Sequence, residues 1–227
     1  MLSINRYSIF TLFIIALGGW LLYNRNHSQS YGTLILISGG SSCGKTSVSK
    51  ALQDHFAKKD IPFLRIGLDD FFHAIGNQWF ASALDATKES TKRAKGLLIK
   101  KTEENIIIET GPFYPKLIQA VTLGLKGFLD GKLNVIFEGA SDFSGIKIAL
   151  QKYNPFLFSI ACPLNIVEER ESKRKDNPII GLARAVNTQN NFTKKTERIF
   201  DSSKQSSKDI AQEIAHFVEE HTILIPE

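Results

Sequence analysis

The run GGSSCGKT, Gly39 to Thr46, limits what this chain can fold into more than any other stretch of it. It satisfies G-x-x-x-x-G-K-[ST], and its flanks are those the motif requires. Before it, TLILIS (Thr33 to Ser38) is a short apolar and β-branched run of the kind that forms a parallel strand buried on both faces. After it, SVSKALQDHFAKK continues with helical character. Strand, glycine-rich loop and helix in that order make a phosphate cradle. Gly39, Gly40 and Gly44 allow positive φ, so the N–H groups of the loop, those of Ser41, Ser42 and Cys43 included, turn into one concavity. The Cys43 side chain sits at a variable position and is assigned no chemistry. Lys45 is placed to bridge the β- and γ-phosphates of ATP, Thr46 to bind Mg2+ through its hydroxyl, and the helix dipole adds to the attraction.

A phosphate loop alone does not separate kinases from switches or motors, so the ends of the neighbouring strands decide the chemistry. PFLRIGL (Pro62 to Leu68) reads as a second strand ending at Asp69 and Asp70. Asp69 is the candidate general base, able to accept the proton of an attacking hydroxyl, and Asp70 the candidate cap of the next helix. LNVIF (Leu133 to Phe137) reads as a third strand, with Glu138 after it as a metal or substrate contact or a solvated strand end. FLFSIA (Phe156 to Ala161) reads as a fourth. The helix beyond Pro163 carries Arg170 and Arg174, spaced i and i+4 and so expected on one face, where they contact transferring phosphate or pair with nearby glutamates.

Between the second and third strands, GLLIKKTEENIIIETG predicts a β-hairpin over the acceptor side. A last short strand ends at Asp201, and SSKDIAQEIAHFVEE (Ser206 to Glu220) predicts an amphipathic terminal helix. At 227 residues and 43% apolar composition the chain suits one α/β domain. The net charge of +5 is spread among acidic residues, with local clusters at Lys92, Arg93 and Lys95 and at Lys173 to Lys175. No nucleic-acid motif accompanies them, and no nucleic-acid partner is expected. Two distant cysteines, Cys43 and Cys162, give neither a disulfide framework nor zinc-ligand spacing.

Ahead of the catalytic unit runs an uncharged stretch, Tyr7 to Asn24, with an apolar centre and with Trp20 and Tyr23 at one end, long enough to span a bilayer. Residues 1–25 are expected to be a membrane anchor, with a secretory signal or a non-spanning start, and so a soluble cytoplasmic protein, as the alternatives; 26–32 are expected to be a linker and 33–227 the catalytic domain. ATP dependence places that domain on the cytoplasmic side.

From Thr33 onward the chain resembles the chloramphenicol phosphotransferase-like family of P-loop kinases. GGSSCGKT resembles the family's Gly-Gly-Ser-Ser-x-Gly-Lys-Ser/Thr loop. IGLDDFF resembles its strand ending in the general-base aspartate, which falls on Asp69. The hairpin followed by Gly111-Pro112 and the segment VEERESKRKDNPIIGLA resemble its hairpin and its arginine-rich lid, the arginines falling on Arg170 and Arg174. The chain departs at Asn177, where another lid arginine is expected and the third cation is either supplied from elsewhere, Arg184 being the candidate, or absent, and at Glu138, where the family shows aspartate. The resemblance implies a nucleotide-kinase-like P-loop fold, three-layer α/β/α with a mainly parallel sheet and a hairpin insertion; the N-terminal hydrophobic helix expected from Tyr7 to Asn24 lies outside the resemblance. It also implies ATP- and Mg2+-dependent transfer of phosphate to a small-molecule hydroxyl. Chloramphenicol is one acceptor; a nucleoside or nucleotide sugar, as in zeta-toxin-like relatives, and a non-catalytic ATP-binding module are the alternatives.

Overall fold

The computed structural model describes residues 31–74, 80–82, 96–101, 106–175, 179–189 and 196–224. In chain order its strands are β1 (Leu34–Gly39), β2 (Phe63–Gly67), β3 (Phe80–Ser82), β4 (Leu97–Lys101), β5 (Ile106–Thr110), β6 (Asn134–Gly139), β7 (Phe156–Ala161) and β8 (Arg198–Asp201). The helices among the described residues are α1 (Lys45–Ala57), α2 (Leu68–Ala74), α3 (Phe113–Asp130), α4 (Ser144–Ala149), α5 (Leu164–Ser172), α6 (Leu182–Gln189) and α7 (Ser207–His221).

Five strands form one parallel sheet in the order β2-β6-β1-β7-β8. Parallel neighbours need crossover connections, and helices supply them. The central strand β1 is buried along its whole length, which is why TLILIS reads as continuous apolar sequence rather than alternation. Its side chains nevertheless divide by face. Ile35 and Ile37 join the cluster formed with Val48, Leu52 and Phe56 of α1 and with Ile210, Ile214 and Val218 of α7. Leu34 and Leu36 join the opposite cluster, with Leu117, Val121, Leu125 and Leu129 of α3 and with Leu68 and Phe72 of α2. The four-residue spacing in α3 and α7 lays an apolar stripe on the sheet, each buried leucine or isoleucine contributing about 1.5–3 kcal/mol. The result is the three-layer α/β/α arrangement, with the carboxyl ends of β1, β2, β6 and β7 at one edge.

The second sheet has the order β3-β4-β5. The predicted hairpin is present as antiparallel β4 and β5, with Ile99 opposite Ile108. Strand β3, parallel to β4, was not anticipated. Ile99 and Ile106 pack on Ala185 of α6, so the small sheet rests against that helix.

Two boundaries differ from the sequence reading. The second strand stops at Gly67, and Leu68, Asp69 and Asp70 form the first turn of α2, because the Asp70 carboxylate accepts the Gly67 N–H at 2.8 Å and so caps that turn. Glu138 lies inside β6 rather than beyond it, and at 5% exposure it is not a solvated strand end. The stretch Tyr7 to Asn24, the basic cluster at Lys92 to Lys95 and Asn177 lie outside the described residues. No helix among the described residues is long and apolar enough to cross a membrane.

Candidate functional site

The loop between β1 and α1 has the positive φ expected at Gly39 (+152°) and at Gly44 but not at Gly40, and it takes one at Ser42 instead. Gly44 at the N-cap of α1 has φ +91°, and Ser42 has φ +59°. Two left-handed residues separated by one other turn the intervening amides into a shallow cup. Neither Gly39 nor Gly40 lines the cleft, and a neighbour crosses close to each. A Cβ on Gly39 would lie 2.4 Å from the Ile160 carbonyl oxygen, and one on Gly40 would lie 1.8 Å from Asn187 Oδ1. The Cys43 side chain is fully buried in the α1-side core. Burial pushes its thiol pKa up, with Lys45 acting in the opposite direction, so it stays a protonated thiol at neutral pH.

Lys45 Nζ donates to the Gly40 carbonyl at 2.6 Å. Burial pulls its pKa below the ordinary lysine value, while Cys43, Glu138 and Asp69 act to raise it and Arg174 to lower it further. A phosphate anion in the cup would favour the charged form. The Ser42 hydroxyl is buried and has no hydrogen-bond partner among the described residues, a donor at the loop that phosphate oxygens would satisfy. These two observations fit a nucleotide's phosphates to the loop.

Across the loop, Glu138 is held by three donors. The Thr46 hydroxyl donates to Oε2 at 3.0 Å, and Ser49 Oγ and Arg65 Nη1 donate to Oε1, each at 3.0 Å. Because Thr46 gives its hydrogen to Glu138, its oxygen lone pairs are left for another partner. No group of three or more His, Cys, Asp or Glu that could hold a metal occurs among the described residues. Hard oxygen ligands from one hydroxyl, with a carboxylate behind it, fit Mg2+ carried in with phosphates and water rather than a dedicated protein cage. Thr46 would hold that ion, and Glu138 would act through Thr46 or through water. Ser49 and Arg65 were not singled out in the sequence. The signal was there for Arg65, a charge on the same strand face as buried Phe63, where an unpaired guanidinium is costly.

Asp69 is exposed and lines a cleft of about 720 Å³ together with Lys45, Thr46, Glu138, Arg170 and Arg174. Since Asp70 is occupied with Gly67, Asp69 is the carboxylate of the pair that is available to a ligand in the cleft. Arg170 is aimed by the loop after β8: its Nη1 donates to Ser202 Oγ at 2.9 Å and its Nη2 to the Ser202 carbonyl at 2.7 Å. The expected common helix face for Arg170 and Arg174 is not found. Helix α5 ends at Ser172 with Lys173 as its C-cap, so Arg174 lies beyond the helix. Both arginines still reach the same cleft. The glutamates of α5 have other partners: Glu168 pairs with Arg184 at 2.6 Å, Glu169 with Lys173, and buried Glu171 accepts the Gly181 and Ala183 N–H groups, each at 2.7 Å. Arg184, paired with Glu168, is not among the residues that line the cleft.

The profile of the family described as chloramphenicol phosphotransferase-like protein matches residues 32–219. A Mycobacterium tuberculosis protein named, provisionally, an O-phosphotransferase is 32% identical over 111 residues, which cover 47% of this chain and 45% of that relative, so the chain spans less than half the length of the curated relative it matches. Among solved structures, the fold is similar to the Mycobacterium tuberculosis APS kinase determined with AMPPNP and APS (TM-score 0.55, 14% identity, 83% of this chain and 98% of that one). It is also similar to the Acinetobacter baumannii shikimate kinase determined with shikimate (TM-score 0.51, 14% identity, 85% and 96%). At those identities the structural likeness speaks for the α/β fold of P-loop kinases alone. The profile match, running from the strand before the phosphate loop into α7, establishes that the chain belongs to the chloramphenicol phosphotransferase-like family.

Proposed function

We propose that this protein transfers the γ-phosphoryl group of ATP to a hydroxyl group of a small molecule. The observation that carries the reading is the convergence, in one cleft, of a phosphate loop with its lysine and threonine, an uncommitted carboxylate at Asp69, and two arginines. The loop amides and Lys45 bind the β- and γ-phosphates. Asp69 orients the acceptor hydroxyl and takes its proton as the oxygen forms a bond to the γ-phosphorus and the bond to the bridging oxygen of ADP breaks. Arg170, held by Ser202, and Arg174 offset the negative charge on the transferring group. Mg2+, when bound, neutralises charge between the β- and γ-phosphates.

Replacing Asp69 with Asn tests the assignment. Turnover should fall by roughly 10²–10⁴ while ATP affinity changes less than about threefold, since only the proton acceptor is lost. Unchanged turnover removes Asp69 from the mechanism. A panel of alcohols that includes chloramphenicol, nucleosides and nucleotide sugars, followed by ADP release, identifies the acceptor class. Because the donor is ATP, residues 31–227 work on the cytoplasmic side of any membrane that the stretch Tyr7 to Asn24 engages.

A further inference from the structure

The second glycine of the loop has no role in the general phosphate-loop pattern, which allows any residue at that position. Here its reason lies on α6, far along the chain. Asn187 on that helix extends across the back of the loop and touches three of its residues. Its Oδ1 occupies the space that a Gly40 Cβ would need, 1.8 Å away, and accepts the Cys43 S–H at 3.3 Å. Its Nδ2 donates to the Ser41 carbonyl at 3.2 Å and to the Ala183 carbonyl, one turn back on its own helix, at 2.6 Å. The amide is thus held by its own helix and gives its remaining capacity to the loop.

The contact with Ser41 determines more than the carbonyl. A trans peptide unit is planar, with C=O and N–H pointing in opposite directions. Holding the Ser41 oxygen toward Asn187, outside the cleft, directs the Ser42 N–H the other way. Ser42 lines the cleft, has φ +59°, and carries the buried unpartnered hydroxyl. Helix α6 is itself fixed at two further points. Its first turn is bound by Glu171 of α5, the helix that presents Arg170, and Ala185 packs on Ile99 and Ile106 of the hairpin.

We propose that Asn187 is a positioning residue for the donor site: it sets the orientation of the Ser41–Ser42 peptide and requires glycine at position 40, thereby joining the phosphate loop to the helix on which the hairpin rests. This inference rests on the reading of the loop as a nucleotide site.

The test is a complementation between two positions, read by ATP and ADP affinity in titration calorimetry and by the split of kcat and KM. Asn187→Ala should weaken nucleotide binding about tenfold, the loss expected when one neutral hydrogen bond to the loop is removed, with the effect in the KM for ATP and none in the KM for the acceptor. Gly40→Ala alone should weaken binding by roughly a hundredfold or more through the clash with Asn187. Gly40→Ala combined with Asn187→Ala should bind as well as Asn187→Ala alone, because the clash is gone. A purely structural asparagine would lower the thermal midpoint and leave the affinity of the folded protein alone. Nucleotide affinity of Asn187→Ala within twofold of the parent, or Gly40→Ala equally harmful in both backgrounds, overturns the inference. If the Asn187→Ala variant does not fold, Asn187→Ser, which cannot reach Ser41, is read by the same criteria. A parent protein that binds no nucleotide refutes the donor-site reading instead, so the two failures are distinct.

Discussion

Replacing Arg65 with Met removes a charge from a pair that is mostly out of water. Glu138 is 5% exposed and the Arg65 side chain 27%, and the two meet at 3.0 Å. Methionine keeps much of the length and apolar stem of arginine but leaves Glu138 with two neutral hydroxyl donors, Thr46 and Ser49. Breaking a fully buried ion pair costs about 3–5 kcal/mol, because the remaining charge is left without its partner. Water can reach the position vacated by the partly exposed guanidinium, and the two hydroxyls keep part of the solvation, which brings the expected cost to about 2 kcal/mol. For a domain of this size that is a fall of roughly 4–8 °C in thermal midpoint. The assay is denaturant unfolding of four proteins: the parent, Arg65→Met, Glu138→Gln and the double variant. If the cost arises from the stranded carboxylate, Arg65→Met should cost less than about 0.5 kcal/mol when Glu138→Gln is already present, a coupling near 1.5 kcal/mol. Equal costs in both backgrounds would refute the reasoning and leave arginine's packing as its contribution. The functional corollary is that Arg65→Met shifts the Mg2+ concentration needed for tight ATP binding, since Glu138 then orients the Thr46 hydroxyl less rigidly.

Two further perturbations follow from the same physics. Lys45→Met should stabilise the nucleotide-free protein slightly, because burial depresses the lysine pKa below its ordinary value and so penalises the ammonium at neutral pH; the same variant should lose the thermal shift that ATP gives the parent, and a destabilised variant would contradict the sign. Glu171→Ala strands the Gly181 and Ala183 N–H groups at the start of α6 and should cost about 2–4 kcal/mol in unfolding free energy. It should also weaken ATP binding, because the helix that carries Asn187 loses its anchor; unchanged affinity in the folded variant would disconnect α6 from the loop.

Features carried by local sequence were legible. Strand β7 falls where the apolar run Phe156 to Ala161 placed it, β8 ends at Asp201 as expected, and α7 begins at Ser207 after Ser206, whose Oγ accepts the Asp209 N–H at 3.2 Å. The phosphate loop was legible as a local pattern of glycine, lysine and threonine within eight residues, although the reason for glycine at 40 lies on α6. The end of α5 was not legible: the i, i+4 spacing of the arginines pointed to one continuous helix face, whereas the helix stops at Ser172, two residues short of Arg174. What the sequence concealed is partnership across the sheet. Arg65 meets Glu138 because the parallel register sets Gly67 beside Glu138 and Arg65 two residues earlier on the same face. Nothing local to either segment states that register. It also supplies a reason for glutamate where the resembling family shows aspartate: from its strand position the longer side chain reaches Thr46 on one oxygen and Ser49 and Arg65 on the other, all at 3.0 Å. Glu138→Asp, shorter by one methylene, should therefore give up one of those three contacts, and the Arg65 contact is the one whose loss a double-mutant cycle would detect.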